Sequence, residues 1–412
     1  MKIKNDEINT NLNSPLGVGG EFGVGIFIIA DDITGAAEMA GVCLRYGLKV
    51  SFGIDVVPEN EADVKIIATD SRSLSENDAF IIHQKIAEQI FEKPLTYVFK
   101  KCDSVLRGYV LTELEAVLSV KDFKQVFIQP ANPATGRCIR NGVYYIDNER
   151  IQNTGFSKDP DFPANSSNVN DLLIIRSKSY HKHSNIFTGN IENISGTGVY
   201  IPDCESIADL TKSSKLADNQ TLMCGSAAFF EQVLLSKGYN ERLAETINYK
   251  TATDFLLVSG TTHPESIHFN EKLAGSACSV ISFPTDYLNP EIDQVAFEKW
   301  IIDIESDLEK NKKMVLYLSN SRIEFNQSSF ILKQRLNKVI SYLTENSDLK
   351  NLLVEGGATT YSLLKFLEWD TLIPVSELSP GVIQFSIPKH KNLDLIIKPG
   401  SYKWTEYLFD IK

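Results

Sequence analysis

Residues 25–38 read Gly25-Ile-Phe-Ile-Ile-Ala-Asp-Asp-Ile-Thr-Gly-Ala-Ala-Glu38. Ile26 to Ala30 is a short apolar run, the signature of a strand buried on both faces of a parallel sheet. It stops at two carboxylates, Asp31 and Asp32. Thr34 and Gly35 follow, and a helical pattern runs from Ala36 to Tyr46. In an open α/β sheet, ligands bind beyond the carboxyl ends of the strands. Both aspartates therefore fall where chemistry is expected, and Gly35 lets backbone approach a ligand closely. Helix capping and turn filling explain one such aspartate easily. They explain an adjacent pair less well, because one cap needs one carboxylate.

Working outward, short apolar runs alternate with helical patterns. Lys49–Asp55, Val64–Thr69, 95–100 and Gln125–Gln129 read as strands, with helices over Glu76–Glu92 and Tyr109–Leu118. This alternation implies βαβ units and a mostly parallel sheet. The run after Asn141 suggests an edge strand, residues 152–170 read as loop, and Gly198–Pro202 and Thr221–Cys224 add strands. A second series begins near Asp254, with strands at Phe255–Ser259, Ser279–Phe283, 313–319, Asn351–Val354 and Leu393–Lys398 and helices at about 293–311 and 327–345. The expected fold is α/β: two lobes with mostly parallel sheets and an interdomain cleft, a common place for ligands. The expected division is a flexible tail over 1–22, a first domain over 23–245 and a second over 250–412.

The chain has 412 residues, more than one core usually organises. Its 43% hydrophobic and 23% charged content is ordinary for a globular protein. A net charge of −12 argues against nucleic acid or an anionic membrane as partner. No apolar stretch reaches membrane-spanning length, and the start lacks a signal-peptide core. The six cysteines lack metal or redox spacing and read as reduced thiols of a cytoplasmic protein. His181 and His183 alternate in a polar stretch that reads as exposed loop. Oligomeric state is left open, a homo-oligomer included.

Further segments repeat the strand-then-polar-turn device. Lys100-Lys101-Cys102-Asp103-Ser104-Val105-Leu106-Arg107-Gly108 places cations at the same sheet edge as Asp31 and Asp32. A guanidinium suits a carboxylate, and Asp103 and Ser104 can bind hydroxyls or cap the next helix. Pro130-Ala131-Asn132-Pro133-Ala134-Thr135-Gly136-Arg137 offers Asn132 and a further guanidinium. In the second half, Ser259-Gly260-Thr261 and Glu355-Gly356-Gly357-Ala358-Thr359 end strands with small residues, and Lys398-Pro399-Gly400-Ser401 closes the series. Backbone N–H groups at such turns can hold phosphate oxygens. No Walker-A sequence is present, so this is no ordinary P-loop enzyme.

Together these segments resemble the four-carbon acid sugar kinase family. The likeness lies in Ala-Asp-Asp-x-Thr-Gly-Ala at 30–36, Lys-Lys-x-Asp-Ser-x-Leu-Arg-Gly at 100–108 and Pro-Ala-x-Pro…Gly-Arg at 130–137. Ser-Gly at 259–260, Gly-Gly-x-Thr at 356–359 and Ser-Pro-Gly-Val at 379–382 extend it. Two positions depart from the family pattern: Ala358 stands where Asp is usual, and Pro399 where Ser is usual. The resemblance implies a front lobe holding a sugar acid and a rear lobe holding ATP, with Mg²⁺ on the phosphates.

On that reading Asp31 or Asp32 accepts the proton of the attacking hydroxyl, and Arg107 and Lys101, with Arg137, bind the substrate carboxylate. Thr34, Gly35, Lys100, Asp103, Ser104, Gly108 and Asn132 complete the substrate site. Ser259, Thr261, Gly356, Gly357, Ala358, Thr359 and Gly400 line the nucleotide site. Two other readings compete: a sugar-acid sensor that transfers no phosphate, and a phosphatase with Asp31 as nucleophile.

Overall fold

The computed structural model describes residues 25–409 apart from 94–95, 179–184, 191–195, 243–251, 262, 276–277, 290 and 319–327. The expected tail, His181 and His183, and the boundary between 245 and 250 lie outside the described residues.

The front half runs β1 (Ile26–Ala30), α1 (Ile33–Arg45), β2 (Val50–Ile54), β3 (Val64–Ala68), α2 (Glu76–Phe91), β4 (Tyr97–Lys101), α3 (Val110–Leu118) and β5 (Gln125–Gln129). An excursion follows: β6 (Arg137–Arg140), β7 (Val143–Ile146), β8 (Glu149–Arg150), then α4 (Val169–Arg176) and β9 (Ile186–Gly189). The half closes with β10 (Gly198–Pro202), α5 (Ile207–Ser214), β11 (Thr221–Gly225) and α6 (Ala227–Ser236). The rear half runs β12 (Phe255–Ser259), α7 (Pro264–Ala274), β13 (Ser279–Ser282), α8 (Gln294–Asn311), β14 (Lys313–Tyr317) and α9 (Ser328–Asn346). It ends with β15 (Asn351–Glu355), α10 (Gly357–Phe366), β16 (Thr371–Ser379), β17 (Val382–Ile387) and β18 (His390–Lys398).

Fifteen strands form one continuous sheet, in the order β13-β14-β12-β15-β18-β17-β16-β2-β3-β1-β4-β11-β5-β10-β9. The two halves are thus joined edge to edge, not only packed together. The seam is a short antiparallel pairing, Thr371 with Gly53 and Leu372 with Phe52. The expected edge strand after Asn141 is instead the middle of a separate antiparallel sheet, β6-β7-β8. Only Tyr144 of that strand is buried, which fits a small sheet laid over the rim, whereas β1 to β4 are buried on both faces.

Strand order locates the site. From β1 the chain steps past β3 to β2 and returns to β3, and β4 lies on the other side of β1. From β12 it steps past β14 to β13, and β15 lies on the other side of β12. The carboxyl ends of β1/β4 and β12/β15 are therefore both topological switch points, where helices diverge and leave a crevice.

The rear parallel strands run opposite to the front ones across the seam. Sheet twist compensates. At about 20–25° per strand, the six steps from β1 to β15 turn the strand direction by roughly 120–150°. The two crevices consequently meet: a Cβ on Gly357, at the start of α10, would lie 3.2 Å from Thr34 in the first turn of α1.

Helix α1 packs against both halves, and its small residues permit that. Gly35, Ala36, Ala37, Ala40 and Gly41 are all buried. A Cβ on Gly41 would sit 2.5 Å from Glu377 and 2.9 Å from Ile383. The Glu377 carboxylate cannot swing aside freely, because Arg45 holds it at 2.5 Å. Across the same seam, Tyr361 donates to Asp55 at 2.6 Å and Lys365 pairs with it at 3.0 Å. Gly41→Val is expected to destabilise the protein by about 1–3 kcal/mol in urea unfolding, by overpacking β16 and β17. Gly155→Ala, where a Cβ meets nothing within 4 Å, is the control and should stay within about 0.5 kcal/mol.

Candidate active site

The turns after β1, β3 and β4 are cross-linked by one guanidinium. Arg72 follows β3 in the turn Thr69-Asp70-Ser71-Arg72. It donates to Asp31 Oδ2 from Nε at 3.2 Å and from Nη2 at 2.8 Å. The same Nη2 lies 3.2 Å from Asp32 Oδ1, and Nη1 lies 3.7 Å from Asp103 Oδ1. Three carboxylates from two strand ends thus share a cation from a third.

The two leading aspartates have different surroundings. Asp31 is fully buried, and its Oδ1 has no hydrogen-bond partner among the described residues. Burial pushes its carboxyl above the usual range, against the pull of Arg72 and Lys100. Asp32 caps α1: Oδ1 accepts from Gly35 N at 3.1 Å and Oδ2 from Thr34 Oγ1 at 2.5 Å. Burial works to raise Asp32, but Arg72, Lys101 and the Thr34 hydroxyl outweigh it and hold the carboxyl below the usual range. Asp32 thus caps the helix and lines the cavity described below at once.

Adjacent residues of a strand point to opposite faces, and this divides the two lysines. Lys101 turns toward α1, with Nζ 3.9 Å from Glu38. Burial opposes its charge, but Glu38, Asp31 and Asp32 keep the ammonium above its ordinary pKa. Lys100 points the other way, into a buried pair with Glu113 at 2.8 Å. Glu113 also accepts from Ser71 at 2.7 Å and lies 3.8 Å from His83. Lys100 therefore does not reach the cavity and leaves the expected substrate set; it anchors β4 from behind.

The 103–108 turn is locked from several sides. Asp103 accepts from Val105 N, Arg107 N and Arg107 Nε through Oδ2, and from Arg107 Nη2 through Oδ1. Leu106 takes φ 62°, a strained conformation for a branched side chain. Arg176 of α4 holds that turn by donating to the carbonyls of Val105 and Leu106. Arg107 spends its fork on Asp103 and approaches Asp159 at 3.4 Å, so it is not a free cation. Arg137 has no carboxylate partner among the described residues; its Nη1 donates to Ser104 Oγ at 2.5 Å.

These groups surround a cavity of about 290 Å³. Its lining includes Asp32, Thr34, Gly35, Glu38, Arg72, Lys101, Asp103, Ser104, Arg107, Asn132 and Arg137 from the front half, with the start of α6 at Ser226. Pro399, Ser401 and Tyr402 supply the rear wall. Asp31, Lys100 and Gly108 are not part of it; a Cβ on Gly108 would meet Asp31 and Arg72. The motif reading missed Arg72, Glu38 and Tyr402. The signal for Arg72 was available: Thr69-Asp-Ser-Arg is another polar cluster directly after an apolar run.

The rear turns assemble around a second buried pair. Lys398, the last residue of β18, lies 2.5 Å from Glu355, the last of β15. Glu355 also accepts from Ser259 at 2.9 Å and from Ser266. Ser259 is thereby a buried support and not an exposed ligand group. Gly356 takes φ +101°, a Cβ on Gly260 would strike Thr359, and a Cβ on Gly400 would lie 2.8 Å from Thr261. Thr261, Gly356, Thr359 and Gly400 are thus brought together beside the exposed start of α10 at Ala358.

Two outcomes follow from these buried charges. Arg72→Met should cost about 3–5 kcal/mol in urea unfolding, because Asp31 stays buried without its counter-charge; Arg72→Lys should cost less. A loss below about 1 kcal/mol for Arg72→Met would contradict the shared-cation account. Burial, reinforced by Lys100, lowers His83 to about 4 from an ordinary 6.5, against Glu113. The unfolded chain then binds the proton more readily than the folded one. The contribution is present above about pH 6.5 and is lost as pH falls toward about 4. The urea midpoint should drop between pH 7 and 5, and drop less in His83→Asn.

The family model described as sugar-binding N-terminal domain matches residues 26–233. The chain is 30% identical over 156 residues to a D-threonate kinase of Bordetella bronchiseptica, a stretch covering 36% of this chain and 38% of that protein. It is 24% identical over 418 residues to a 3-oxo-tetronate kinase of Pseudomonas fluorescens, covering 91% and 93%. A crystal structure of a Haemophilus influenzae protein from DUF1537 superimposes with a TM-score of 0.70 at 17% identity, over 93% of this chain and 98% of that one. No helix among the described residues is long and apolar enough to cross a membrane. With half of its length matched by that model, the chain belongs to the sugar-binding N-terminal domain family, the family of the four-carbon acid sugar kinases.

Proposed function

We propose that the protein is an ATP-dependent kinase that phosphorylates a four-carbon sugar acid, of the threonate, erythronate or 3-oxo-tetronate type, at its terminal hydroxyl. One observation carries this reading. A single cavity has cations at one side, Arg137 and Lys101, while its Thr34 wall lies close to the glycine turn, where a Cβ on Gly357 would come within 3.2 Å of Thr34. Its volume lies at the low end of ligand pockets, roughly 300–1,000 Å³, which suits a small acid and not a whole nucleotide. The names of the relatives, kinases of threonate and 3-oxo-tetronate, support the same substrate class.

In this reading residues 23–245 form the sugar-acid-binding domain and 250–412 the nucleotide-binding domain. Arg137 and Lys101 take the substrate carboxylate, as a guanidinium with no carboxylate partner among the described residues and a buried ammonium. Ser104, Asn132 and Asp103 border the hydroxyls. Arg107 fixes the Asp103 turn beside them.

The N–H groups at the start of α10, with Thr261, Gly356, Thr359 and Gly400, take phosphate oxygens. Among the described residues, no group of three His, Cys, Asp or Glu side chains is placed to hold a metal ion. Mg²⁺ would be carried by the ATP phosphates and would supply charge neutralisation there. Phosphoryl transfer depends on positioning and electrostatics more than on covalent chemistry, and the rigid turns supply both. A phosphatase with Asp31 as nucleophile is disfavoured, because Asp31 is buried behind Arg72 and outside the cavity. All six cysteines are free thiols, which supports a cytoplasmic location.

A coupled ADP assay with Mg²⁺ across threonate, erythronate and their 3-oxo forms should show turnover with at least one acid. Arg137→Ala should raise KM for that acid about 10–100-fold and leave KM for ATP nearly unchanged. Binding of an acid without ADP release would favour a sensor, and phosphate release from a sugar phosphate without ATP would favour a phosphatase.

A further inference from the structure

Three carboxylates belong to or precede α1 near the cavity, and two are poorly suited to accept a proton. Asp31 is walled off behind Arg72. Asp32 is largely engaged: Gly35 N and Arg72 approach Oδ1, and Thr34 donates to Oδ2, which leaves one lone pair on Oδ2. The third is Glu38, in the second turn of α1. It lines the cavity, and its side chain is 34% exposed into it. Its one ion-pair partner among the described residues is Lys101 at 3.9 Å, longer than a hydrogen bond.

We propose that Glu38 is the proton acceptor for the substrate's terminal hydroxyl. The proposal rests on the kinase reading above and adds the identity of the base. As the hydroxyl oxygen attacks the γ-phosphorus of ATP, its proton passes to a Glu38 carboxylate oxygen. The new O–P bond forms while the bond from γ-phosphorus to the bridging oxygen breaks, and ADP leaves with that electron pair. Glu38 then returns the proton to water through its exposed side.

The charged and titratable groups around Glu38 tune it for this role. Burial raises its carboxyl above the usual range; Lys101 from β4 and Arg137 from β6 pull it down, and Asp32 and Glu377 of β16 push it up. The Tyr402 phenol faces the same group of charges from the turn after β18. The net direction is upward, toward working pH, where a general base is most effective. Asp32, held below the usual range, is the weaker base.

The test is Glu38→Gln in the full chain, assayed for ADP release with the acid the wild type turns over. Expected is a fall in kcat of about 10²–10⁴, with little change in either KM. Calorimetry should show the acid still binding. The acidic limb of the wild-type kcat–pH profile should vanish in Glu38→Gln and persist in Glu38→Asp, at an intermediate rate. A Glu38→Gln enzyme within about threefold of wild-type kcat, or one retaining the acidic limb, overturns the proposal. A wild type that turns over no acid overturns the kinase reading itself, which separates the two failures.

Discussion

The structure depends on one shared counter-charge. Arg72 sits between Asp31, Asp32 and Asp103, and without it those carboxylates would repel one another at neighbouring strand ends. Ion pairs of this kind add little net stability, because desolvation offsets much of the attraction. Their effect is geometric. A planar guanidinium with directed N–H groups fixes the turns after β1 and β4 relative to the turn after β3. Once those turns are fixed, the start of α1, the Lys101 ammonium and the strained 103–108 turn have only one arrangement around the cavity.

The two halves solve the same problem alike. Each has a switch point at which two strands end side by side, and each places a buried lysine–glutamate pair nearby. In the front half the pair is Lys100–Glu113, and in the rear half Glu355–Lys398. Both pairs are fully buried and do not meet a ligand: Lys100–Glu113 ties the end of β4 to α3, and Glu355–Lys398 ties the end of β15 to that of β18. The groups that do face ligand space are backbone turns and the side chains one residue further on. Sheet twist then brings the two switch points together across six strands, and the small residues of α1 let the halves close on it.

Much of this was legible in the chain, for identifiable reasons. Strands buried on both faces appear as unbroken apolar runs, so β1, β5, β10 and β12 are read at their observed bounds. The start of α1 is read three residues late, because Ile33-Thr34-Gly35 looks like turn chemistry until Asp32 is known to cap it. The rear hairpin β16–β17 is missed: Pro374 interrupts the first strand, and although burial alternates along it, Ile373 and Val375 are apolar yet exposed and Ser376 is polar yet buried. The seam pairing of Thr371 with Gly53 joins residues far apart in sequence and leaves no local trace. Lys100 and Lys101 were grouped as one basic patch. Only the pleat, which sends neighbours to opposite faces, separates the buried anchor Lys100 from Lys101, which lines the cavity. Arg72 was overlooked because a lone arginine in a polar turn resembles a solvated one.

The central claim is that a sugar acid and a triphosphate meet where α1 and α10 begin. A crystal structure with a four-carbon acid and a non-hydrolysable ATP analogue tests it most directly. The account predicts the acid's carboxylate on Arg137 and Lys101, its terminal hydroxyl toward Glu38 and Thr34, and the phosphates against the Gly356–Gly357 turn. An acid bound elsewhere, or phosphates away from that turn, would contradict it.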